Sequence, residues 1–583
     1  MNNIVELCVM SVILVVLPLL RPKFSTGAAF NLKDSVLYIL AMLYLGYMLI
    51  TGVRVVLSPI FVTLSLLAVY ATTTAIWTTN NDQTWREIVK WWALVAMFIM
   101  AQSIPVNNLF AISLVAVPVI FAWGCVQLYG YEPYDETLTK YNKDLRELKE
   151  PNFRWSMGNL NHAGAFLAPY LFINIYLAIN VSHWYFVVIP FIVTGVFLTH
   201  CWSAMAGMYV GLCFIYPPYS LTLLGAIPIG LACYFILRKK HAEYFDKKIY
   251  SLKTRSYYWL MAFNLWKNKP IFGWGLKTYS KELFECQAEE NLKDPSLLGY
   301  KDSEKDIKPK YIFWPERVHN DAIEMLCEGG LVGFILILSF MASIIYVGIV
   351  TQNYIVLGGA LCLMVHGMLF YTLSSFSVVP YMVLLGALAG QRPVEFYAVP
   401  LPLSILGALV ILNICYEKVI KPQIARMYSH KAMNVIEGLD SSKIEDVEKG
   451  ARLQHEYINK AYEYAPKNGK VLFVATNMKS NQDSQIALHL AESAIHNYDG
   501  EMRLPELFGR YGDLQFQCGN VSGAKRAMEY AIYLNPRLSG VRKSLQQVKR
   551  IEHDIEEQKI RVQKEKRNQQ LSRLVNPLKV VGA

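Results

Sequence analysis

The chain has 583 residues, of which 54% are hydrophobic and 17% are charged, and its mean hydropathy is +0.27. This composition excludes an ordinary soluble protein, because soluble domains carry about 25% charged residues. The net charge of +11 could attract nucleic acid, but no DNA- or RNA-binding motif is present and the most basic stretch lies between apolar runs. The sequence therefore predicts an integral membrane protein without a nucleic-acid partner.

Apolar runs recur from the N-terminus to about residue 420. About twelve or thirteen of them are candidates for transmembrane helices, since about 20 apolar residues in a helix cross the hydrocarbon core. The first run lacks a basic start and a cleavage site, so we predict a retained span. The predicted fold class is an all-α polytopic membrane protein. The runs lie at 4–20, 33–50, 56–77, 88–103, 109–128, 161–180, 184–200, 203–218, 221–237, 331–350, 354–374, 378–390 and 402–416.

Three polar segments interrupt these runs, at 78–87, 132–158 and about 238–320, and the third is the longest. Between Arg238 and Lys281 it carries eleven Lys or Arg residues against two acids, with aromatic residues interleaved. This pattern predicts a segment that lies among lipid headgroups and binds an anion such as a phosphate-bearing lipid. A helix that only binds headgroups is the alternative.

After Tyr416 the composition changes to a charged helical pattern, so we divide the chain into a membrane domain, 1–420, and a soluble helical domain, 421–583. Within the second domain, 505–536 has small residues at helix-crossing positions and ends at a proline. This stretch resembles a tetratricopeptide repeat, a helix pair of about 34 residues. Two to three degenerate repeats are predicted, and such repeats bind peptides or partner proteins. A helical cap that only stabilises the protein is the alternative.

The ten cysteines lie mostly singly in apolar runs, and no C-x-x-C or paired-histidine spacing occurs. This distribution favours small buried side chains over a disulfide framework or a zinc site. Cys286 and Cys327 could pair if the long loop faces an oxidising compartment. No metal ligand set and no cofactor motif is predicted.

Three stretches together resemble the O-antigen ligase and polymerase family of integral-membrane glycan transferases. They are "WSMGNLNHAGAFLAPYL" at 155–171, "SLKTRSYYWLMAFNLWKNKPIFGWGLKTYSKEL" at 251–283 and "HNDAIEMLCEGGLVGFILIL" at 319–338. The first is similar to the family's entry to a central span, the second to its Arg followed by Pro and Gly-x-Gly, and the third to its His-Asn before a Glu-x-Gly-x-x-Gly span entry.

The resemblance implies a helical glycosyltransferase fold in the bacterial cytoplasmic membrane, with the loop 238–330 outside the cytoplasm. It implies a polyprenyl-diphosphate-linked glycan as donor and a lipid, sugar or protein hydroxyl as acceptor, in cell-surface polysaccharide assembly. An O-antigen ligase-like reaction, a repeat-unit polymerase and a protein O-oligosaccharyltransferase stay open. The positive-inside rule alone would place the basic loop in the cytoplasm, but it is weak for long loops.

Two rivals from other classes are a lipid-linked glycan transporter or flippase and a non-catalytic membrane anchor for the repeat domain. A transporter would carry its polar residues in the middle of its spans. Here the ionisable residues collect at one end of a span, at His319, Asp321, Glu324 and Glu328. That placement favours surface chemistry on a lipid substrate.

Transfer from a glycosyl diphosphate requires stabilisation of the leaving diphosphate and removal of a proton from the attacking hydroxyl. No D-x-D metal motif stands out, so we predict metal-independent transfer. Arg255 is the predicted ligand of the diphosphate, because guanidinium presents a planar fork to phosphate oxygens. His319 is the predicted general base, since imidazole titrates near neutral pH. Inversion at the anomeric carbon is the working assumption for a single displacement.

Further predicted site residues surround this pair. Ser203-Ala204 stands where the family often has Ser-Arg, so Arg154, Arg86 or Lys90 would supply the missing cation. Asp321, Glu324 and Glu328 share a helical face, and we expect them to pair with Arg255, Arg317 or a helix N-terminus and to orient His319. Glu324 as a direct catalytic carboxylate is the alternative. The other predicted substrate contacts are Gly273, Gly275, Asn159, Asn161, His162, Arg317 and Asn320. For the two glycines the alternative is a plain turn, and for residues 159–162 the alternative is helix capping.

Overall fold

The computed structural model describes residues 4–19, 26–128, 157, 159–215, 242–293, 317–373, 378–389, 394–397, 400–435, 444–479, 483–498, 503–536 and 538–575. These residues are almost entirely helical, so the all-α fold class is confirmed. One antiparallel pair of short strands, β1 (Val53–Val55) and β2 (Val394–Tyr397), aligns Val53 with Tyr397 and Val55 with Val394.

The helices are numbered in chain order. They are α1 (Ile4–Leu19), α2 (Thr26–Thr51), α3 (Pro59–Ile76), α4 (Asn81–Ser103), α5 (Val106–Leu128), α6 (Leu160–Asn180), α7 (His183–Leu198), α8 (Trp202–Ile215), α9 (Ala242–Asn268), α10 (Tyr279–Lys293), α11 (Asp321–Val350), α12 (Tyr354–Leu369), α13 (Val378–Ala389), α14 (Leu401–Cys415), α15 (Lys421–Asn434), α16 (Ile444–Tyr464), α17 (Gly469–Lys479), α18 (Ser484–His496), α19 (Leu504–Gln517), α20 (Val521–Leu534) and α21 (Ser539–Val575). A π-helical segment, Tyr416–Ile420, joins α14 to α15.

The chain divides into two compact units. The membrane unit comprises Met1–Ser280 and Pro315–His430, and the C-terminal unit comprises Lys281–Trp314 and Lys431–Ala583. Residues from 281 onward in the long loop, which the sequence analysis placed in the membrane domain, therefore group with the C-terminal helices.

Several helices of the membrane unit have the length and apolar composition of transmembrane helices. Among the described residues, six helical stretches are long and apolar enough to cross a membrane, and five shorter apolar helices accompany them. The predicted run 88–103 forms most of α4, and the predicted run 221–237 lies outside the described residues. These helices support a multi-pass membrane protein.

The core of the membrane unit forms around α4 and α6. Both helices are buried on nearly all sides, whereas α14 exposes Leu401 and Leu409. A helix that is apolar all round must lie inside a bundle or face lipid. Small residues let α8 and α12 approach closely: a Cβ at Gly207 or Gly211 would overlap backbone atoms of Cys362 or Gly358, as is typical of membrane helix pairs.

A kink at Gly330 divides α11 into a short helix, 321–329, and a long apolar helix, 331–350. Gly330 has φ 61° and ψ −162°, a backbone region that only glycine adopts readily. The turn 270–275 packs against the kink and forms hydrogen bonds with its backbone. Leu331 N–H donates to Pro270 O at 2.9 Å, and Gly275 N–H donates to Glu328 O at 2.9 Å. The kink thus exchanges hydrogen bonds with the turn.

The two glycines of this turn, Gly273 and Gly275, allow its backbone to approach neighbouring segments closely. A Cβ at Gly273 would overlap the backbone at Glu328, and one at Gly275 would overlap Thr78. Both glycines have positive φ, and the Gly273 N–H donates to Lys269 O at 3.1 Å. Their N–H groups are therefore already bonded within the protein and do not face an open phosphate site.

The C-terminal unit is an array of helices in which consecutive helices pack as pairs. The predicted repeat 505–536 forms α19 and α20, and a Cβ at Gly512 would lie 2.7 Å from Met528 Cγ, so these two helices cross closely there. Ala524 and Met528 of α20 pack against Leu545 and Val548 of α21. The assignment of these pairs to the tetratricopeptide class stays a prediction. Cys286 and Cys327 are both buried, and the possible disulfide between them is not formed.

Gly330→Ala is expected to destabilise the membrane unit by about 2 kcal/mol or more, because the added Cβ meets both an unfavourable φ and the Ile271 carbonyl. The readout is a lower melting temperature of the purified protein in detergent. Gly46→Ala is the control, since that Cβ would sit at an ordinary 3.6 Å from Ala408 Cβ. Equal melting temperatures for the two variants would contradict the role given to the kink.

Candidate active site

The short helix of α11 begins at Asp321 and is preceded by its N-cap residue Asn320, which follows the predicted base His319. The Asn320 side chain accepts hydrogen bonds from the N–H groups of Ala322 and Ile323, each at 3.0 Å, and so caps the helix. Its Nδ2 donates to Met368 O at 2.7 Å. Asn320 therefore fixes the helix start against the end of α12, and both of its amide atoms are used within the protein.

Arg317 lies at the centre of a buried ionic cluster, which we define as Glu87, Lys90, Arg317 and Glu324. Arg317 Nη1 donates to Glu324 Oε1 at 2.6 Å, and Nη2 donates to Glu87. Lys90 also pairs with Glu87, and Val318 N–H donates to Glu324 Oε2 at 3.0 Å. The cluster joins α4 to the start of α11.

The charge state of Arg317 follows from this cluster. Burial lowers its pKa, but the carboxylates of Glu87 and then Glu324 outweigh burial and hold the pKa well above its usual value. Arg317 is therefore permanently charged, and its charge is already matched by two carboxylates. A substrate anion would have to displace one of them.

Glu328 and Asp321 hold two other segments against the short helix. Glu328 accepts the N–H groups of Lys277 at 2.7 Å and Tyr279 at 3.1 Å. Asp321 Oδ2 accepts the N–H groups of Thr372 at 2.9 Å and Leu373 at 3.3 Å. These carboxylates were expected to pair with Arg255, Arg317 or a helix N-terminus. Glu328 does accept from the N-terminus of α10, which begins at Tyr279, whereas Asp321 accepts from the backbone that follows α12.

A small cavity of about 20 Å³ lies among Glu87, Arg317, Asp321, Glu324 and Glu328. It has room for about one water molecule. Arg317 and its carboxylates line this cavity, and the donor-binding role expected for Arg317 stays a prediction.

Arg255 and His319 form a second group near the start of the short helix. Arg255 Nη1 donates to Leu369 O at 2.6 Å, and its guanidinium lies 5.6 Å from the centre of the Phe370 ring. The His319 ring lies 5.1 Å from the same Phe370 ring and stacks on Tyr258 at 5.5 Å. Phe370 thus places the predicted diphosphate ligand beside the predicted base.

Both side chains keep unused hydrogen-bonding capacity. Among the described residues no carboxylate pairs with Arg255, and the buried His319 Nδ1 has no hydrogen-bond partner there. His319 also has φ 62°, a strained value for a residue other than glycine. Within the part of the chain that the structure describes, a half-buried cation without a carboxylate partner thus lies near an imidazole whose Nδ1 is unbonded, an arrangement that suits an anionic substrate.

Electrostatics set the protonation state of His319. Burial lowers its pKa, the positive charge of Arg255 lowers it further, and Glu324 opposes them only in part, so the pKa is about 4. Burial also lowers the pKa of Arg255 from its usual value. At neutral pH His319 is accordingly neutral and able to accept a proton.

Two further histidines surround Phe370. The rings of His162 and His366 lie 5.1 and 5.4 Å from the Phe370 ring centre. His162 Nε2 lies 3.3 Å from the Tyr371 hydroxyl, and His366 Nδ1 lies 2.9 Å from Ser203 Oγ. Neither His366 nor Phe370 is among the residues predicted from the sequence, although a histidine inside an apolar run is itself a signal.

The other predicted residues are bonded within the protein, are half-buried on another helix or lie outside the described residues. Lys90 belongs to the ionic cluster, Arg86 is half-buried on α4, and Arg154 lies outside the described residues. Asn159 caps α6 by accepting the Asn161 N–H at 2.8 Å. Within the described part of the chain, no group of three or more His, Cys, Asp or Glu is arranged to hold a metal ion.

One comparison with known proteins addresses this region. Residues 170–338 match the O-antigen ligase family model. No curated protein matches the chain. The O-antigen ligase segment includes Arg255, Arg317 and His319, whereas Glu87 and Phe370 lie outside it. The ionic cluster and the aromatic support of the site therefore draw on residues on both sides of the matched segment.

Arg317→Met is expected to destabilise the protein by about 3–5 kcal/mol, because it leaves Glu87 and Glu324 buried without their shared cation. The quadruple variant Glu87→Gln, Lys90→Met, Arg317→Met, Glu324→Gln removes all four charges of the ionic cluster, including Lys90, which pairs with Glu87, and should recover much of that loss. Melting temperatures in detergent compare the two. A quadruple variant less stable than Arg317→Met would show that the ionic cluster is not held by charge compensation.

Proposed function

We propose that this protein transfers a glycan from a polyprenyl-diphosphate-linked donor to an acceptor hydroxyl at the outer face of the bacterial cytoplasmic membrane. The match of residues 170–338 to the O-antigen ligase family model supports this reaction class. The observation that carries the proposal is that Arg255, which has no carboxylate partner among the described residues, and His319 both lie against the Phe370 ring. The Arg255 guanidinium can bind a diphosphate, and the His319 imidazole can accept a proton from a hydroxyl group.

Arg255 would bind the diphosphate of the donor. One guanidinium nitrogen is held by Leu369 O, which fixes the plane of the group and leaves its other N–H donors for phosphate oxygens. The leaving diphosphate gains negative charge as its bond to the sugar breaks, and a fixed cation in a half-buried site stabilises that charge. Transfer by this route is metal-independent.

His319 would act as the general base. The acceptor oxygen attacks the anomeric carbon, the bond from that carbon to the diphosphate oxygen breaks, the electron pair leaves with the diphosphate, and the hydroxyl proton passes to His319. A single displacement of this kind inverts the anomeric configuration. Tyr258 stacks on the imidazole and Phe370 packs against it at a tilt, which favours the geometry that proton transfer needs.

Donor binding would also strengthen the base. In the unliganded site the charge of Arg255 lowers the pKa of His319. A bound diphosphate neutralises that charge and adds a negative charge nearby, so it would raise the pKa of His319 towards its usual value. The imidazole therefore becomes a better proton acceptor when the donor is present.

The acceptor class belongs to this proposal as well. An O-antigen ligase-like transfer in cell-surface polysaccharide assembly is the version that we adopt. A repeat-unit polymerase and a protein O-oligosaccharyltransferase would use the same Arg255 and His319 chemistry on a different hydroxyl. Arg86 and Arg154 stay proposed contacts to the donor.

Purified protein in lipid nanodiscs is expected to transfer glycan from a polyprenyl-diphosphate donor, and His319→Ala and Arg255→Ala should each reduce the rate by at least about 100-fold. Arg255→Ala should also weaken donor binding, whereas His319→Ala should leave it intact. Lys253→Ala, an exposed cation on the same helix, and His183→Ala, an exposed histidine, are the matched controls. Product mass identifies the acceptor.

The proposal would be rejected if wild-type protein moved the intact donor across a bilayer without transfer to lipid, glycan or protein hydroxyls. That result would favour a flippase. Equal losses of transfer in Lys253→Ala and Arg255→Ala would remove the specific role of Arg255.

The pH dependence of kcat/KM is expected to show an acid limb centred near pH 4, where His319 titrates, and not near the 6.5 of an ordinary imidazole. Activity falls as pH decreases through the pKa because the protonated imidazole cannot accept a proton. Arg255→Gln, followed on its residual rate, should move this limb to higher pH. An acid limb that keeps its position in Arg255→Gln would contradict the electrostatic coupling of the two residues.

A further inference from the structure

The C-terminal unit contains a helix that comes from the long loop of the membrane domain. Residues of α10 from Lys281 onward group with α16–α21 in this unit. Phe284 and Ala288 of α10, each 1% exposed, share one apolar cluster with residues of α17–α20. The partners in that cluster are Leu472, Ala494, Tyr498, Leu504, Leu507 and Leu534.

A polar contact accompanies this packing. The Tyr530 hydroxyl of α20 donates to Glu285 of α10 at 2.6 Å, and Tyr530 also packs edge-on against Phe508. Apolar side chains that point inward and a hydrogen bond at the margin are the usual elements of a specific interface. The packing therefore fixes the rotation of α10 about its own axis.

The helix depends on this packing. α10 has 15 residues, and isolated helices of this length are marginally stable in water. Its sequence does not separate into one apolar and one polar face, and Cys286 and Gln287 are buried along with Phe284 and Ala288. Exposure of these side chains would oppose helix formation, so the contacts with α17–α20 stabilise the helix.

We propose that the ligand of the C-terminal helical unit is the chain's own helix α10, and that this unit serves to hold the loop helix in place. A separate peptide or partner protein would then find this surface already occupied. α10 begins at Tyr279, whose N–H donates to Glu328, so an anchored α10 also stabilises the segment that Glu328 binds. Only this consequence for the active site rests on the proposed function.

The test uses the full chain with a protease site inserted at 436–440, between α15 and α16 in the sequence. After cleavage in detergent, the C-terminal fragment should stay bound to the membrane fragment through α10 and elute with it in gel filtration. Phe284→Asp should decrease the retained fraction by more than about tenfold, because it places a charge in the apolar cluster. Glu289→Ala, on the exposed side of α10, is the matched control and should retain the fragment.

Release of the fragment from the unsubstituted chain would overturn the proposal, and so would full retention in Phe284→Asp. Binding of a separate protein on this surface in the uncut chain would also contradict it.

Amide hydrogen exchange of the uncut chain provides a second test that does not depend on the folding of the aspartate variant. The milder Phe284→Ala should accelerate exchange in 281–293 by more than about tenfold and leave α19 unchanged; unchanged exchange in 281–293 would overturn the proposal. Neither measurement requires glycan transfer.

Discussion

The pairing of Arg317 with Glu87 and Glu324 is the interaction on which the candidate site depends. Burial of an ion costs several kcal/mol, so two buried carboxylates from distant parts of the chain require this cation between them. The requirement fixes the segment before α11 against α4. His319 lies two residues after Arg317, and its position follows from the ionic cluster although it is not part of it.

The environments of the two arginines separate their roles. Arg317 is enclosed by carboxylates beside a cavity that admits about one water molecule, and it organises the protein. Arg255 rests on Phe370 and a single carbonyl, and its charge acts on His319 because no anion among the described residues screens it. Motif matching does not distinguish these cases, since both residues are basic and lie near the same histidine.

Local patterns in the sequence predicted the spans, the polar start of α11 and the cap at Asn159, because each depends on neighbouring residues. The partners of those residues were harder to predict. Glu87 lies 230 residues before Arg317, and His366 lies within an apolar run that periodicity assigns to a span. The packing of α10 was also missed, since its polar sequence gives no apolar stripe. Gly273 and Gly275 suggested a turn that binds phosphate. In the structure, the close approach of the turn to other backbone segments accounts for glycine at these two positions.

The kink at Gly330 shows why ionisable residues can lie where a membrane helix begins. A helix that ends within a membrane leaves carbonyl groups without partners. Here Cys327 O and Glu328 O accept N–H groups of the turn 270–275, and Gly329 O accepts the Tyr70 hydroxyl. The short helix that follows His319 is therefore complete in itself, and the long apolar helix starts anew. The glycines make this junction possible, and the junction sets the carboxylates of α11 apart from its lipid-facing length.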